Sequence, residues 1–153
     1  MRFVPEVTAR LENKPGRLAK ISSALAHEKV EVLALSVMDS AAERSVLRLV
    51  TDNLETTRKI LTSLGAEHEI SEVLAVEIDS RPGALARVLE KLAEEHINIE
   101  YAYSAGVSSP GKALAIFHTN NPKRAHQVLT DAVGNGNGNG NGHAPGRRPL
   151  HSR

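Results

Sequence analysis

The sequence predicts an α+β protein made of two tandem βαββαβ units, each an antiparallel sheet with both helices on one face. Three observations lead there. The chain repeats itself at a spacing of 67 residues; within each copy the apolar period switches between strand-like and helix-like in the order of that unit; and each copy carries a Pro-Gly pair, Pro15-Gly16 and Pro82-Gly83, at the passage from first strand to first helix.

The shift of 67 lays Pro15, Gly16, Leu18, Ala19, Leu25, Ala26, Glu28, Leu47 and Asn53 onto Pro82, Gly83, Leu85, Ala86, Leu92, Ala93, Glu95, Leu114 and Asn120 with no gap. A gapless match of this length implies a duplication. Each copy opens on a strand, residues 7–11 and 73–78. A helix follows, in which Leu18, Ile21 and Leu25, and in the second copy Leu85, Val88, Leu89 and Leu92, recur at helical spacing as one apolar stripe. Two strands come next, residues 30–37 and 46–50, matched by 97–103 and 113–117, where Ile97, Ile99, Tyr101 and Tyr103 alternate as on a half-buried strand. The second helix starts at Asp52 or Asn53, with Asp52 and Glu55 in capping-box spacing, and stops at Gly65; its counterpart starts after Asn121 with Pro122 in the first turn. Residues 66–71 close the first copy. The second has no equivalent, because the chain reaches Gly134 soon after Leu129, so its last strand is expected to be missing or very short. This is the split βαβ, ferredoxin-like plan, with modules at 1–71 and 72–133. Glycine and asparagine alternate over 134–142, and 134–153 is expected to be disordered.

Composition sets the bounds on function. With no cysteine among 153 residues, disulfides, thiolate metal sites and cysteine nucleophiles are excluded. No apolar run is long enough to span a bilayer and no signal-peptide pattern opens the chain, so the expectation is a cytoplasmic protein away from membranes. Net charge is +1, but residues 134–153 hold Arg147, Arg148 and Arg153 and no acid, so the rest carries −2. A mildly acidic body speaks against nucleic acid as partner.

The turns Glu12-Asn13-Lys14-Pro15-Gly16 and Asp79-Ser80-Arg81-Pro82-Gly83 are the informative positions. Proline pre-sets the first helical turn, and glycine bares the backbone N–H groups where the helix dipole favours an anion such as the carboxylate of a free amino acid. The same residues also serve as plain helix-start architecture, Asn13 and Ser80 being favoured there.

In these turns, in Leu-Ala at 18–19 and 85–86, and in Val30-Glu31-Val32 and Ile97-Asn98-Ile99, the chain resembles tandem ACT-domain proteins over about residues 3 to 130. The resemblance implies amino-acid binding at the seam between two modules, with the turn glycines Gly16 and Gly83 against the ligand, and regulation of a linked or associated enzyme. In serine-sensing members, an Asn two residues before Pro-Gly in one module is joined by an Asn at the start of the second strand in the other. Those roles fall on Asn13 and Ser80, and on Glu31 and Asn98. Pseudo-symmetric pairing then implies one favoured site, Asn13 with Asn98, and a weaker one, Ser80 with Glu31. Leu11 stands where the serine sensors have His, so specificity for serine is not implied, and an apolar or aromatic ligand side chain suits Leu11 and Tyr101 as well or better.

The expected ligand set is thus Leu11, Asn13, Pro15, Gly16, Asn98, Tyr101, Ser80 and Gly83, with no catalytic residue, no metal and no cofactor. Seven histidines show no metal-site spacing. Residues 106–111 read as a flexible hairpin. The missing last strand favours a homodimer. Two other classes share this topology: an acylphosphatase-like hydrolase, for which Arg17 stands near the first turn but Ala84 replaces it in the second, and an RNA-binding sheet using Tyr101, Tyr103 and Phe117 on central strands.

Overall fold

The computed structural model describes residues 1–40 and 44–134, so the expected disorder of the tail beyond Gly134 lies outside the described residues. The elements are β1 (Arg2–Glu12), α1 (Arg17–His27), β2 (Val32–Ser40), β3 (Arg44–Thr51), α2 (Leu54–Ser63), β4 (Glu67–Asp79), α3 (Ala84–Glu94), β5 (Ile99–Ser109), β6 (Lys112–Thr119) and α4 (Pro122–Gly134). They make one antiparallel six-stranded sheet in the order β2-β3-β1-β4-β6-β5.

The two units are fused through β4. The strands expected at 66–71 and 73–78 are one continuous strand, so the expected boundary falls in its middle. Its first half pairs with β1 as the closing strand of module one, while its second half opens module two and pairs with β6. The fourth strand of module two is absent among the described residues, and its place is taken by the start of β1, where Arg2, Phe3 and Val4 pair with Ala75, Leu74 and Val73. Residues 2–4 therefore belong to the sheet of the second module. An edge that the second unit could not close for itself is closed by the first.

Side-chain alternation puts all four helices on one face. Val7, Ala9 and Leu11 of β1 pack with Ile21, Leu25, Ile60 and Leu61 from α1 and α2. Leu74, Val76 and Ile78 of β4 pack with Leu92 of α3 and Ala125, Val128 and Leu129 of α4. Phe3, of the same parity as Val7, packs against this second core and stacks on His126. The expected stripe on α3 divides: Leu92 is buried and Val88 packs on the core, but Leu85 and Leu89 remain 49% and 36% exposed. They form a row one position round the helix from the Ala84, Val88, Leu92 row that meets the sheet.

The opposite face is also apolar. Val4, Ala34, Val50, Val73, Ala75, Ala105 and Ile116 form a third core, which no helix covers. It is covered by the sheet itself, which rolls until its edge strands β2 and β5 come into contact. Twist accumulated over six strands brings the edges round.

Two details correct the gapless repeat. Asn53 caps α2 by accepting from Thr56 N–H at 3.0 Å, and it is Asn121, not Asn120, that does the same for Arg124 in module two. Asp52 is no capping-box residue; its carboxylate takes the Glu31 N–H, a role Asn120 fills for Asn98. Likewise Leu47 lies in the helix-face core, whereas Leu114 packs on the inner face and Ala115 occupies the Leu47 place. One residue has been added in the second copy between β5 and β6. The register shifts in the distal half of β5 absorb it. Here the expected loop 106–111 is mostly strand, and the turn is reduced to Pro110-Gly111.

Candidate functional site

The two Pro-Gly turns adopt the same backbone. Gly16 and Gly83 are the N-caps of α1 and α3, with φ 86, ψ −9 and φ 82, ψ −11, and no side chain caps either helix. A residue with a Cβ is strained in this left-handed conformation, which accounts for glycine in both copies. Pro15, Gly16, Ser80 and Gly83 are exposed, as is Asn13, whose amide donates to Asp39 at 3.4 Å. Ser80 N–H donates to the Gly111 carbonyl at 2.8 Å.

The other expected ligand residues lie elsewhere. Leu11 is 5% exposed and belongs to the helix-face core. Asn98 is exposed just before β5. Extending the strand registers puts it in the row of Glu6 and Ser71, more than half the length of β1 from Asn13. A single chain does not bring Asn13 and Asn98 together. Tyr101 is half-buried and faces the inside of the roll, because a register shift between Ile99 and Tyr101 interrupts the expected alternation. Ile99 thus meets the helices, while Tyr103 packs on the third core and Tyr101 turns to Glu6 on the same side.

Inside the roll the two modules meet through a polar cluster. Glu6, fully buried on β1, accepts a hydrogen bond from Tyr101 OH on Oε1 and one from Tyr103 OH on Oε2, each 2.6 Å. Arg48 Nε on β3 lies 3.9 Å from the same carboxylate, and its guanidinium sits 4.0 Å over the Tyr101 ring. That ring stacks on His118 with centroids 4.7 Å apart, and His118 Nδ1 lies 2.7 Å from Glu100. Burial first, and then the hydrogen bond to Glu6, push Tyr101 up to about 12 and Tyr103 further still. Both phenols stay protonated donors throughout the neutral range.

Beside this cluster a cavity of about 580 Å³ opens between the modules. Arg2, Glu31 and Leu33 come from module one, and Glu77, Ala105 and Leu114 from module two. Its floor is the third core, through Leu33, Ala75, Ala105 and Leu114. Its charged side chains are one guanidinium and two carboxylates, with Met1 and the Ser108 hydroxyl also in the lining, and among the described residues none of Arg2, Glu31 and Glu77 is in an ion pair. Gly106, Val107 and Ser108 of β5 form part of the wall, Val107 being 79% exposed.

Sequence reasoning had Glu31 only as the weaker counterpart of Asn98, and it missed Glu6, Arg48, Arg2 and Glu77. An acidic residue at an inward position of a first strand was the available signal for Glu6. The aromatic trio expected of an RNA platform is not on open sheet: Phe117 is buried beneath the helices, Tyr101 and Tyr103 are turned to Glu6, and β5 is an edge strand. Among the described residues no group of three or more His, Asp or Glu side chains is placed to hold a metal ion, and no helix is long and apolar enough to cross a membrane.

The fold has counterparts among solved structures. A protein from Bacteroides thetaiotaomicron is 28% identical with a TM-score of 0.77, the match covering 86% of this chain and 89% of that one. The regulatory subunit of aspartate kinase from Thermus thermophilus is 18% identical with a TM-score of 0.63, covering 85% and 91%. That from Thermus flavus is 19% identical with a TM-score of 0.56, covering 86% and 92%. No curated protein matches the sequence. The sequence pattern of the family described as ACT domain pair matches residues 3–134, and the chain belongs to that family.

Proposed function

We propose that this chain is a non-catalytic sensor of a free amino acid, which binds at the seam between the two ACT modules and through them regulates a separate enzyme or partner. The observation that carries the reading is the 580 Å³ cavity, built half from each module. Its size falls within the usual span of small-ligand sites. Arg2 suits an α-carboxylate, Glu31 and Glu77 suit an ammonium group, and the apolar floor suits an aliphatic or aromatic side chain. A ligand there touches β2 and β5 together and so favours the closed roll over any more open arrangement. Differential affinity of this kind is what regulation requires. The Thermus counterparts, named as regulatory subunits of a kinase, make a separate enzyme the natural partner.

A second arrangement serves the same function. The starts of β2 and β5, with Glu31 and Asn98, lie on the two edges of the sheet, and the two turns share one backbone geometry. Asn13, Pro15 and Gly16 of one copy can face Asn98 only in another copy, so this seam requires a homodimer.

The test is a thermal-shift screen of the free amino acids on the intact chain. A ligand at a hundred times its dissociation constant raises stability by about 2.7 kcal/mol. Loss of the shift in Glu31→Gln and Arg2→Gln places the ligand in the cavity. Loss in Asn13→Ala and Asn98→Ala, with ligand-dependent dimerisation, places it at the turns. A screen with no response to any amino acid refutes the proposal.

A further inference from the structure

At the far end of β1 from the cavity, three arginines from three elements converge: Arg10 of β1, Arg17 at the start of α1 and Arg44 at the start of β3. With His68 they line a cleft of about 560 Å³ closed on one side by the connection from α2 to β4. Among the described residues none of the three guanidinium groups makes a hydrogen bond. Their nearest carboxylates stand at the limit of an ion pair, Glu69 at 4.0 Å from Arg10 and Glu67 at 3.9 Å from Arg44. Arg17 has no carboxylate in range among the described residues, and its Nε is out of contact with water and without a partner. Glu12 on the rim is already held by Lys14 at 3.0 Å, and its carboxyl is lowered first by that contact and then by Arg17 and Arg44. A buried N–H without a partner is costly, and a guanidinium brings five donors in a rigid fork.

The fold does not require these residues. In module two the places of Arg10, Arg17 and Arg44 are held by Glu77, Ala84 and Lys112, and Lys112 is engaged with Asp79 at 2.6 Å. The same βαββ frame forms without them, so their convergence in module one has another origin. His68, which lines the cleft, donates from Nδ1 to the Ala66 carbonyl at 2.9 Å.

We propose that this cleft binds a small tetrahedral oxyanion of the phosphate type, free or as a phosphomonoester. Several oxygens carrying two charges match forks that approach from three directions, whereas a monocarboxylate occupies one fork. The site is distinct from the amino-acid seam and stands or falls apart from it.

The test is an NMR titration of the isotope-labelled chain with inorganic phosphate, then phenyl phosphate, with acetate as the monoanion. Saturable shifts centred on Arg10, Arg17, Gly65 and His68 are expected with both phosphates and not with acetate. Tighter binding of phenyl phosphate identifies an esterified ligand, and tighter binding of inorganic phosphate a free one. Arg17→Gln and Arg44→Gln should each weaken binding about tenfold, and the exposed Arg58→Gln should not change it. Shifts that stay linear in phosphate, that centre elsewhere, or that survive Arg17→Gln at wild-type affinity overturn the proposal.

Discussion

Replacing Glu6 by Gln tests whether the buried cluster holds the roll closed. The carboxylate accepts from two phenols at 2.6 Å and faces Arg48, all inside the roll and beside its apolar third core. A neutral amide of the same shape keeps at most one of those acceptor roles and puts an N–H₂ donor against the other tyrosine. It also leaves Arg48, only 16% exposed, without its counter-charge. Hydrogen bonds to a charged group contribute about 1.5–3 kcal/mol each, and removing one member of a buried pair costs about 3–5 kcal/mol. A loss of about 3 kcal/mol follows, roughly 10 °C in melting temperature for a chain of this size. Tyr103→Phe alone should cost about 2 kcal/mol, and combined with Glu6→Gln it should cost less than the two together, since they share one bond.

The assay is built into the composition. The chain has no tryptophan and two tyrosines, Tyr101 and Tyr103, so its intrinsic fluorescence reports this cluster and nothing else. Urea unfolding followed by tyrosine emission and by circular dichroism compares opening of the roll with loss of the whole fold. If Glu6→Gln melts within a degree or two of the parent, or if the double variant is strictly additive, the cluster does not couple the edge strand to β1 and the reasoning is wrong.

Other expectations follow from the same structure. In the folded chain the phenols keep their protons to about pH 12 or beyond, whereas an unfolded tyrosine ionises near 10. Their raised values contribute stability that is complete below about pH 10 and is lost as pH rises from there through about 12. Chemical denaturation across that range, with tyrosinate absorbance on the same samples, checks the sign; a stability that increased there would contradict it. Gly16→Ala and Gly83→Ala force a Cβ into φ 86 and φ 82 and should each destabilise by about 1–2 kcal/mol in urea titrations. Lys29 and His96, which end α1 and α3 at φ 57 and φ 55, should by the same physics gain about 0.5–1 kcal/mol on replacement by glycine. Phe3→Ala should cost about 2 kcal/mol and speed amide exchange in the second half of β4 and in α4, in the module to which residue 3 does not belong by sequence. Exchange that quickened in module one instead would show that β1 does not complete module two.

Element order, the helix starts and the two glycine turns were legible because they depend on local chemistry: proline and glycine at fixed offsets, asparagine caps, and apolar periodicity. What lay hidden was decided at long range. The added residue between β5 and β6 could not be detected from a match in which Leu47 meets Leu114, since leucine suits either face; only the sheet shows that Ala115 is the residue under the helices. Tyr101 looked like a lining residue for an open site, but a bulge turned it to the far side, where Glu6 waits 95 positions earlier in the chain. Nor could the sequence show that module two borrows its last strand from residues 2–4, because the lender lies in the other copy.

That borrowing constrains how the chain can respond to a ligand. The modules are tied along β1 and β4 by a continuous ladder and by Phe3 reaching into the second core, so they cannot swing apart as separate bodies without breaking strand pairs. The freedom that remains lies at the other side of the roll, where β2 and β5 touch without pairing and the Glu6 cluster is the fastening. A ligand in the cavity bridges that unpaired junction, adding contacts where the sheet has fewest of its own. The same location explains why fastening and ligand should be coupled. Weakening the cluster through Tyr103→Phe populates the open roll, so ligand must supply the closing energy and its affinity falls, while ligand in turn restores the melting temperature lost. Calorimetry on Tyr103→Phe with whichever amino acid the screen identifies should show weaker binding with no contact to the substituted side chain. Unchanged affinity would mean that the seam is rigid and that regulation passes through another surface.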